Sequence, residues 1–170
     1  MKVISWNCRG LGSKTKEEAM LDLISLHHPD ICLIQETKME EAAFLQVSKK
    51  IWKKKGSVAL SSRGASEGIG TLWDDGKYEA VAIKNNNHWL LTVLRQKDSN
   101  SLVSIFNIYA PNSYDEKINC WSLLCGERSN QQGNVILVGD LNVTLSQEEK
   151  RGGLRTIDPI TEIVEDTIRV

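Results

Sequence analysis

Short apolar runs alternate with amphipathic stretches along this chain. Val3-Ile4-Ser5-Trp6 reads as a strand, Arg9-Gly10-Leu11-Gly12-Ser13 as a turn, and the spacing predicts a helix from Thr15 to His27. Met20, Leu21, Leu23, Ile24 and Leu26 form its apolar face. Pro29-Asp30 ends it, and Ile31-Cys32-Leu33-Ile34 is a continuous apolar run of the kind buried on both faces. Glu40 to Lys50 predicts a second helix, with Ala43, Phe44, Val47 and Ile51 at helical spacing. Short strands then follow around Val58-Leu60, Gly70-Trp73, Tyr78-Ile83, Trp89-Leu94 and Val103-Tyr109. Asp74-Asp75-Gly76 and Asn85-Asn86-Asn87 punctuate them, as in a meandering antiparallel sheet. A third helix over Asp115 to Leu124 and another fully buried strand at Val135-Ile136-Leu137-Val138 come next. The stretch from Pro159 to Val170 has Ile160, Ile163, Val164 and Ile168 at helical spacing. Helices thus flank a strand-rich middle, which predicts an α/β sandwich with helices outside two packed sheets.

Composition narrows the class without naming a partner. With 41% hydrophobic and 25% charged residues the chain is a normal globular mixture, so disorder is not expected. Its formal net charge is -1, so a hold on a polyanion must come from local basic residues or a bound cation. Cys8, Cys32, Cys120 and Cys125 make no Cys-x-x-Cys pair and read as reduced core thiols. No apolar run reaches a membrane span of ~20 residues, and strand-like sequence from Val3 leaves no room for a signal peptide. An intracellular, reducing compartment is the expectation.

The informative feature is where polar residues stand. Asn7, Gln35-Glu36, Asn107 with Tyr109, and Asp140 with Asn142 each follow or close an apolar strand at its C-terminal end. Such ends converge on one rim in layered α/β proteins, so residues distant in sequence can meet around a ligand. One such residue alone would be a turn former or a helix cap. If Glu36 and Asp140 share the rim, their like charges repel by roughly 4 kcal/mol at 4 Å and an effective dielectric of 20. A cation between them resolves this, and hard oxygen donors without a nearby His or Cys favour Mg²⁺ over zinc.

Four blocks then carry a resemblance. Ile4-Ser5-Trp6-Asn7-Cys8-Arg9-Gly10, Leu33-Ile34-Gln35-Glu36-Thr37-Lys38, Asn107-Ile108-Tyr109-Ala110-Pro111 and Gly139-Asp140-Leu141-Asn142 resemble, in order, the endonuclease/exonuclease/phosphatase superfamily with its DNase I-like fold. Trp6 to Gly12 and Glu148-Glu149-Lys150-Arg151-Gly152-Gly153 are similar, more narrowly, to the endonuclease domain of plant long interspersed (non-LTR) retrotransposons. The resemblance implies an α/β (α+β) fold, a four-layer α-β-β-α sandwich forming one domain over residues 1–170, and a magnesium-dependent nuclease that nicks DNA. Mg²⁺ would be the cofactor, with Mn²⁺ as an alternative, and DNA the partner; no oligomeric state is implied. By position, Glu36 would be the principal metal ligand, with Asn7 supporting metal and phosphate. Tyr109 would contact the scissile phosphate, Asp140 would orient or deprotonate the attacking water, and Asn142 would stabilise the transition state. Asn107 would join Tyr109 and Asn142 in substrate binding. A functional enzyme of this kind would work in the nucleus.

Two departures qualify what the resemblance implies. Arg9 stands where some repair endonucleases of the superfamily carry Asp. The superfamily's later Ser-Asp-His block has no counterpart before Val170, so the sandwich is expected to be incomplete at its C-terminus and its activity impaired. His27 and His28 read as helix-end residues and His88 as a turn residue. The lysine-rich stretch around Trp52 reads as a solvated helix end in preference to a nucleic-acid patch. Two alternatives stay open: a phosphoesterase for a small phosphoester, and a retrotransposon relic without catalysis.

Overall fold

The computed structural model describes residues 1–53, 55–62, 67–144 and 160–169, so the Glu148 to Gly153 block lies outside the described residues. The chain divides into two compact units, residues 1–109 with 132–140, and residues 110–131 with 141–170.

The first unit holds two four-stranded sheets. β1 (Val3–Asn7), β2 (Ile31–Gln35), β3 (Gly56–Leu60) and β4 (Ile69–Trp73) form one, in the order β1-β2-β4-β3. β1 and β2 are parallel, joined through helix α1 (Lys14–His27), while β2-β4 and β4-β3 are antiparallel. β5 (Tyr78–Asn85), β6 (Trp89–Gln96), β7 (Leu102–Tyr109) and β8 (Asn134–Asp140) form the second sheet in sequence order, with β7-β8 its parallel pair. The meander expected from the sequence is therefore shared between the sheets: β3 and β4 join β2, and only β5 to β7 run as a continuous antiparallel meander.

Local chemistry sets the helices. Ser13 caps α1 by accepting from Lys16 N–H at 3.4 Å, Glu17 stands in the first turn, and His28 closes the helix in the left-handed region. Helix α2 (Glu41–Ile51) buries Phe44, Val47 and Ile51, spaced three and four residues apart. These side chains meet Met20, Leu23 and Ile24 of α1 and Cys32, Ile34 and Leu72 of the first sheet in one core. Gly70 permits the approach, because a Cβ there would lie 2.1 Å from the Phe44 ring. The apolar face of α1 is narrower than the sequence suggested: Leu21 and Leu26 are exposed, since only one side of this helix meets the sheet.

Strand alternation builds the second core. Ile31 and Leu33 of β2 turn away from Cys32 and Ile34 and pack with Val103 and Ile105 of β7, Val3 of β1, and Ile136 and Val138 of β8. The four β2 apolar residues have no exposed surface, and burial of each of Ile31, Leu33 and Ile34 is worth about 1.5–3 kcal/mol. β8 was expected to be fully buried, but Val135 to Asp140 are half-buried because, among the described residues, β8 lies at the edge of its sheet with β7 as its strand neighbour.

In the second unit, helix α3 (Tyr114–Ser129) runs five residues past the predicted Leu124, and α4 (Thr161–Arg169) fulfils the periodicity of the last stretch. The two helices touch each other. Cys120, Trp121, Leu124, Ile160 and Val164 are buried. Among the described residues the architecture is thus mixed α/β, with two sheets and four helices. Among the described residues no helix is long and apolar enough to cross a membrane.

Candidate active site

Period-two alternation also carries polar residues to the rim. On β1 the residues turned away from the helices are Val3, Ser5 and Asn7; on β2 they are Ile31, Leu33 and Gln35. Val103, Ile105, Asn107 and Tyr109 repeat the pattern on β7, as do Ile136, Val138 and Asp140 on β8. Near the C-terminal ends of these strands, rungs that were apolar become amide, phenol and carboxylate. β7 and β8 are in register there, with Tyr109 opposite Asp140.

Asn7 is the link. Its Nδ2 donates to Glu36 Oε1 at 2.8 Å and to Asp140 Oδ2 at 2.8 Å. Two oxygens held at that distance from one nitrogen can be no further apart than twice that length, so Glu36 and Asp140 are neighbours. Asn7 Oδ1 accepts from Arg9 N–H at 3.2 Å, which orients the amide. Lys38 Nζ lies 3.9 Å from Glu36 Oε2 and 3.6 Å from Glu67 Oε2. The Lys38 side chain is 53% exposed, so these ion pairs are weak ones at the mouth of the site.

Tyr109 completes the group. Burial pushes its phenol up to about 12, reinforced by the Glu36 charge, by its hydrogen bond to Glu36, and by Glu67 and Asp140. It is therefore a protonated donor beside a carboxylate acceptor throughout the neutral range. Behind it, Asn107 is wholly buried: its Oδ1 accepts from Gln35 Nε2 at 2.6 Å and its Nδ2 donates to the Gly70 carbonyl at 2.9 Å. This departs from a substrate-facing Asn107, because its amide is consumed between the sheets. Asn142 belongs to the second unit, where its Nδ2 donates to the Ala110 carbonyl at 2.6 Å.

The backbone around Glu36 is strained and tied on both sides. Arg9, Glu36 and Lys38 adopt positive φ, a conformation that costs roughly 1–3 kcal/mol in a non-glycine residue and gathers at functional sites. Gly10 N–H donates to the Glu36 carbonyl at 2.6 Å and Leu11 N–H to Thr37 at 2.9 Å. From the other side, Thr37 N–H donates to Gly68 at 3.1 Å and Lys38 N–H to Glu67 at 2.8 Å. Lys16 Nζ donates to the carbonyls of Cys8 and Arg9, which fixes the turn after β1.

The sequence marks Gln35 beside Glu36 at the end of β2 but gives it no role, and it assigns none to Lys16, Lys38 or Glu67. A structural role for Gln35 was within its reach, as the next inward position after Ile31 and Leu33. The loop contact of Glu67 left no sequence signal. His88 sits in the bend before β6 as expected, with its carbonyl accepting from Tyr109 N–H at 2.8 Å. His28 caps α1, away from these residues.

The donor set can be tested against a metal. Among the described residues no group of three or more His, Cys, Asp and Glu side chains is poised to hold an ion. The site instead offers carboxylate and amide oxygens, a set that suits a hard cation sharing its shell with water or phosphate.

Known proteins share the fold. AP endonuclease LMAP from Leishmania major matches with a TM-score of 0.72 at 17% identity, covering 99% of this chain and 66% of that one. The catalytic domain of Xenopus laevis APE2 matches at 0.68 and 20% identity, covering 99% and 66%. A mannosyl-6-phosphatase from Bacteroides thetaiotaomicron matches at 0.68 and 14% identity, covering 84% and 66%. These likenesses concern the fold, and the chain spans about two thirds of the length of each structure. The sequence itself matches the profile of the Endonuclease/Exonuclease/phosphatase family over residues 4–158, and the chain belongs to that family.

Proposed function

We propose that Asn7, Glu36, Tyr109 and Asp140 form a divalent-metal-dependent centre that hydrolyses phosphodiester bonds, with DNA as substrate. The observation that carries this reading is the single Asn7 nitrogen, 2.8 Å from a carboxylate oxygen of both Glu36 and Asp140. A neutral amide does not cancel two negative charges whose repulsion is roughly 4 kcal/mol at 4 Å and a dielectric of 20. A hard dication does, and Mg²⁺, with Mn²⁺ as alternative, is commonly held by one or two carboxylates plus substrate phosphate. When bound, such an ion neutralises charge developing on phosphate and eases deprotonation of water.

Each residue then has a role. Glu36 is the principal ligand, and Asn7, whose two N–H bonds go to Glu36 and Asp140, fixes its orientation; support of the phosphate is assigned to Asn7 by the resemblance alone. Asp140 orients the attacking water and accepts its proton. Tyr109, held protonated, turns its one O–H from Glu36 to a non-bridging phosphate oxygen as negative charge builds there. Asn142 is assigned to transition-state stabilisation by the resemblance alone. Asn107, assigned there to substrate, supports the site from behind it.

The exposed cations Arg9 and Lys38 favour a polyanion, with several phosphates to contact, over a single small phosphoester. The retrotransposon-like blocks from Trp6 to Gly12 and Glu148 to Gly153 support an element-encoded endonuclease acting on nuclear DNA. A second reading, a phosphatase for a small phosphoester, draws on the fold shared with the mannosyl-6-phosphatase. Supercoiled plasmid incubated with the chain and Mg²⁺ or Mn²⁺ separates them. Nicked circles that vanish with Glu36→Gln or a chelator support the nuclease; phosphate release from small esters without nicking supports the second reading. Neither activity, in this chain or in a longer protein carrying it, leaves a non-catalytic relic.

A further inference from the structure

The intersheet core ends in a polar rung directly behind the site. Gln35 is 1% exposed and Asn107 has no exposed surface, yet both carry amides. Gln35 Nε2 donates to Asn107 Oδ1 at 2.6 Å and to Ser5 Oγ at 3.1 Å, while Ser5 Oγ is 3.4 Å from Gln35 Oε1. Asn107 Nδ2 donates to the Gly70 carbonyl at 2.9 Å and to Thr71 Oγ1 at 3.3 Å. One connected set of amides and hydroxyls therefore ties β7 of the second sheet to β1, β2 and β4 of the first.

The position of this rung gives it leverage. Glu36 directly follows Gln35, and Tyr109 is the next inward residue after Asn107. Asp140 stands opposite Tyr109 in the parallel register. The spacing between the sheets at Gln35–Asn107 is therefore transmitted within two residues to the Glu36–Tyr109 and Glu36–Asp140 spacings. Apolar side chains of similar volume would fill the space but would not fix a separation. Hydrogen bonds are directional, and a buried amide left unpaired costs about 1–3 kcal/mol, so the amide pair holds one register.

We propose that Gln35 and Asn107 are positioning residues: their buried amide–amide bond sets the distance between the sheets that places Glu36 against Tyr109 and Asp140. Neither residue touches substrate. The metal-binding part of the claim rests on the reading in the preceding subsection, whereas the Glu36–Tyr109 contact is a property of the fold.

The test uses Asn107→Leu and Gln35→Met, near-isosteric changes that delete the bond, with the exchange Gln35→Asn/Asn107→Gln as a rescue. Mn²⁺ affinity is read from the paramagnetic resonance of free Mn²⁺. The Tyr109 hydrogen bond is read, without metal, from its ¹³Cζ resonance in tyrosine-labelled protein assigned through Tyr109→Phe. Each single variant is expected to weaken Mn²⁺ binding by about 10-fold or more. Each should also move the Tyr109 resonance toward its position in Glu36→Ala. On these two readouts the double deletion should do no more than the worse single variant, because the shared amide–amide bond is already lost in either, and the exchange should recover both signals. A lowered Tm with unchanged Mn²⁺ affinity and an unmoved Tyr109 resonance would reduce the pair to ordinary core and overturn the proposal. Should wild-type protein show no Glu36-dependent Mn²⁺ binding, the metal reading falls by itself, and the Tyr109 resonance still decides the positioning claim. If a variant is too unstable to purify, the exchange variant supplies the decision on the same two readouts.

Discussion

The Asn7 carboxamide donates to Asp140 across 133 positions of sequence, over 2.8 Å, from the last residue of β1 to the last residue of β8. These are edge strands of different sheets, so the bond fastens one sheet edge to the other where the carboxylates gather. Replacing Asn7 with Ala removes the donor shared by Glu36 and Asp140. Metal-dependent nicking should fall roughly 10–100-fold, measured as single-turnover plasmid conversion. A variant as active as wild type would detach this amide from the chemistry.

Metal binding has a thermodynamic signature of its own. A ligand that binds only the folded chain stabilises it by mass action, about 2.7 kcal/mol at a hundred-fold excess over Kd. Mn²⁺ or Mg²⁺ should therefore raise the Tm of the chain and leave that of Glu36→Ala unmoved. Equal shifts in both proteins would place the ion elsewhere.

Tyr109 predicts a limit at high pH. Burial first, and then Glu36, holds its phenol up at about 12 against an ordinary 10.0. A raised pKa contributes stability that is fully present below the ordinary value and is lost as pH climbs through the raised one. This group should thus add no pH dependence to stability near neutrality and a decline from about pH 10 toward 12. Urea unfolding across that window should show a shallower decline for Tyr109→Phe than for wild type. Identical slopes would mean that the phenol titrates normally.

Asp30 predicts the acid limit. Its carboxylate, 13% exposed, accepts from Lys2 N–H at 2.6 Å and from Lys77 Nζ at 2.5 Å. Burial pushes its pKa up, but the Lys77 hydrogen bond, the Lys2 N–H and the Lys77 charge outweigh that and leave it below 3.8. A depressed pKa contributes stability present above the ordinary value and lost as pH falls through the lowered one, so the loss should begin near pH 3.8 and grow below it. Asp30→Ala should lower stability at neutral pH by on the order of 1 kcal/mol, for the bond to Lys2 N–H. Its acid unfolding should also lack this component; coincident acid transitions would show that the pair contributes nothing.

Gly139 sits one residue before Asp140 with φ +146, and a Cβ there would lie 1.9 Å from the Ile108 carbonyl oxygen. Backbone cannot swing aside as a side chain can. Gly139→Ala should cost about 2–3 kcal/mol by forcing β8 from β7. Because Asp140 moves with it, nicking should fall further than the loss of folded protein accounts for, as judged by activity corrected for the folded fraction from circular dichroism.

The amino-acid sequence by itself determined the elements and the places where chemistry could stand. Continuous apolar runs are buried however they are packed, so β2 was readable from Ile31 to Ile34, and helical spacing sufficed for α2 and α4. A polar residue closing such a run must emerge at its end, which marks Asn7, Gln35 and Glu36, Asn107 and Tyr109, and Asp140 and Asn142 in the sequence alone. Which strands would neighbour one another was not local information. The division of the meander between sheets, the half-exposure of β8 and the exposure of Leu26 depend on partners remote in sequence. The same reason separates Asn107 from Tyr109. Both are inward residues of β7, but only the facing Gln35 and Gly70 of the other sheet decide that one amide is buried behind the rim while the phenol reaches Glu36. Side-chain periodicity is written along a single strand, and the distance between two strands is written only in the packing that brings them together.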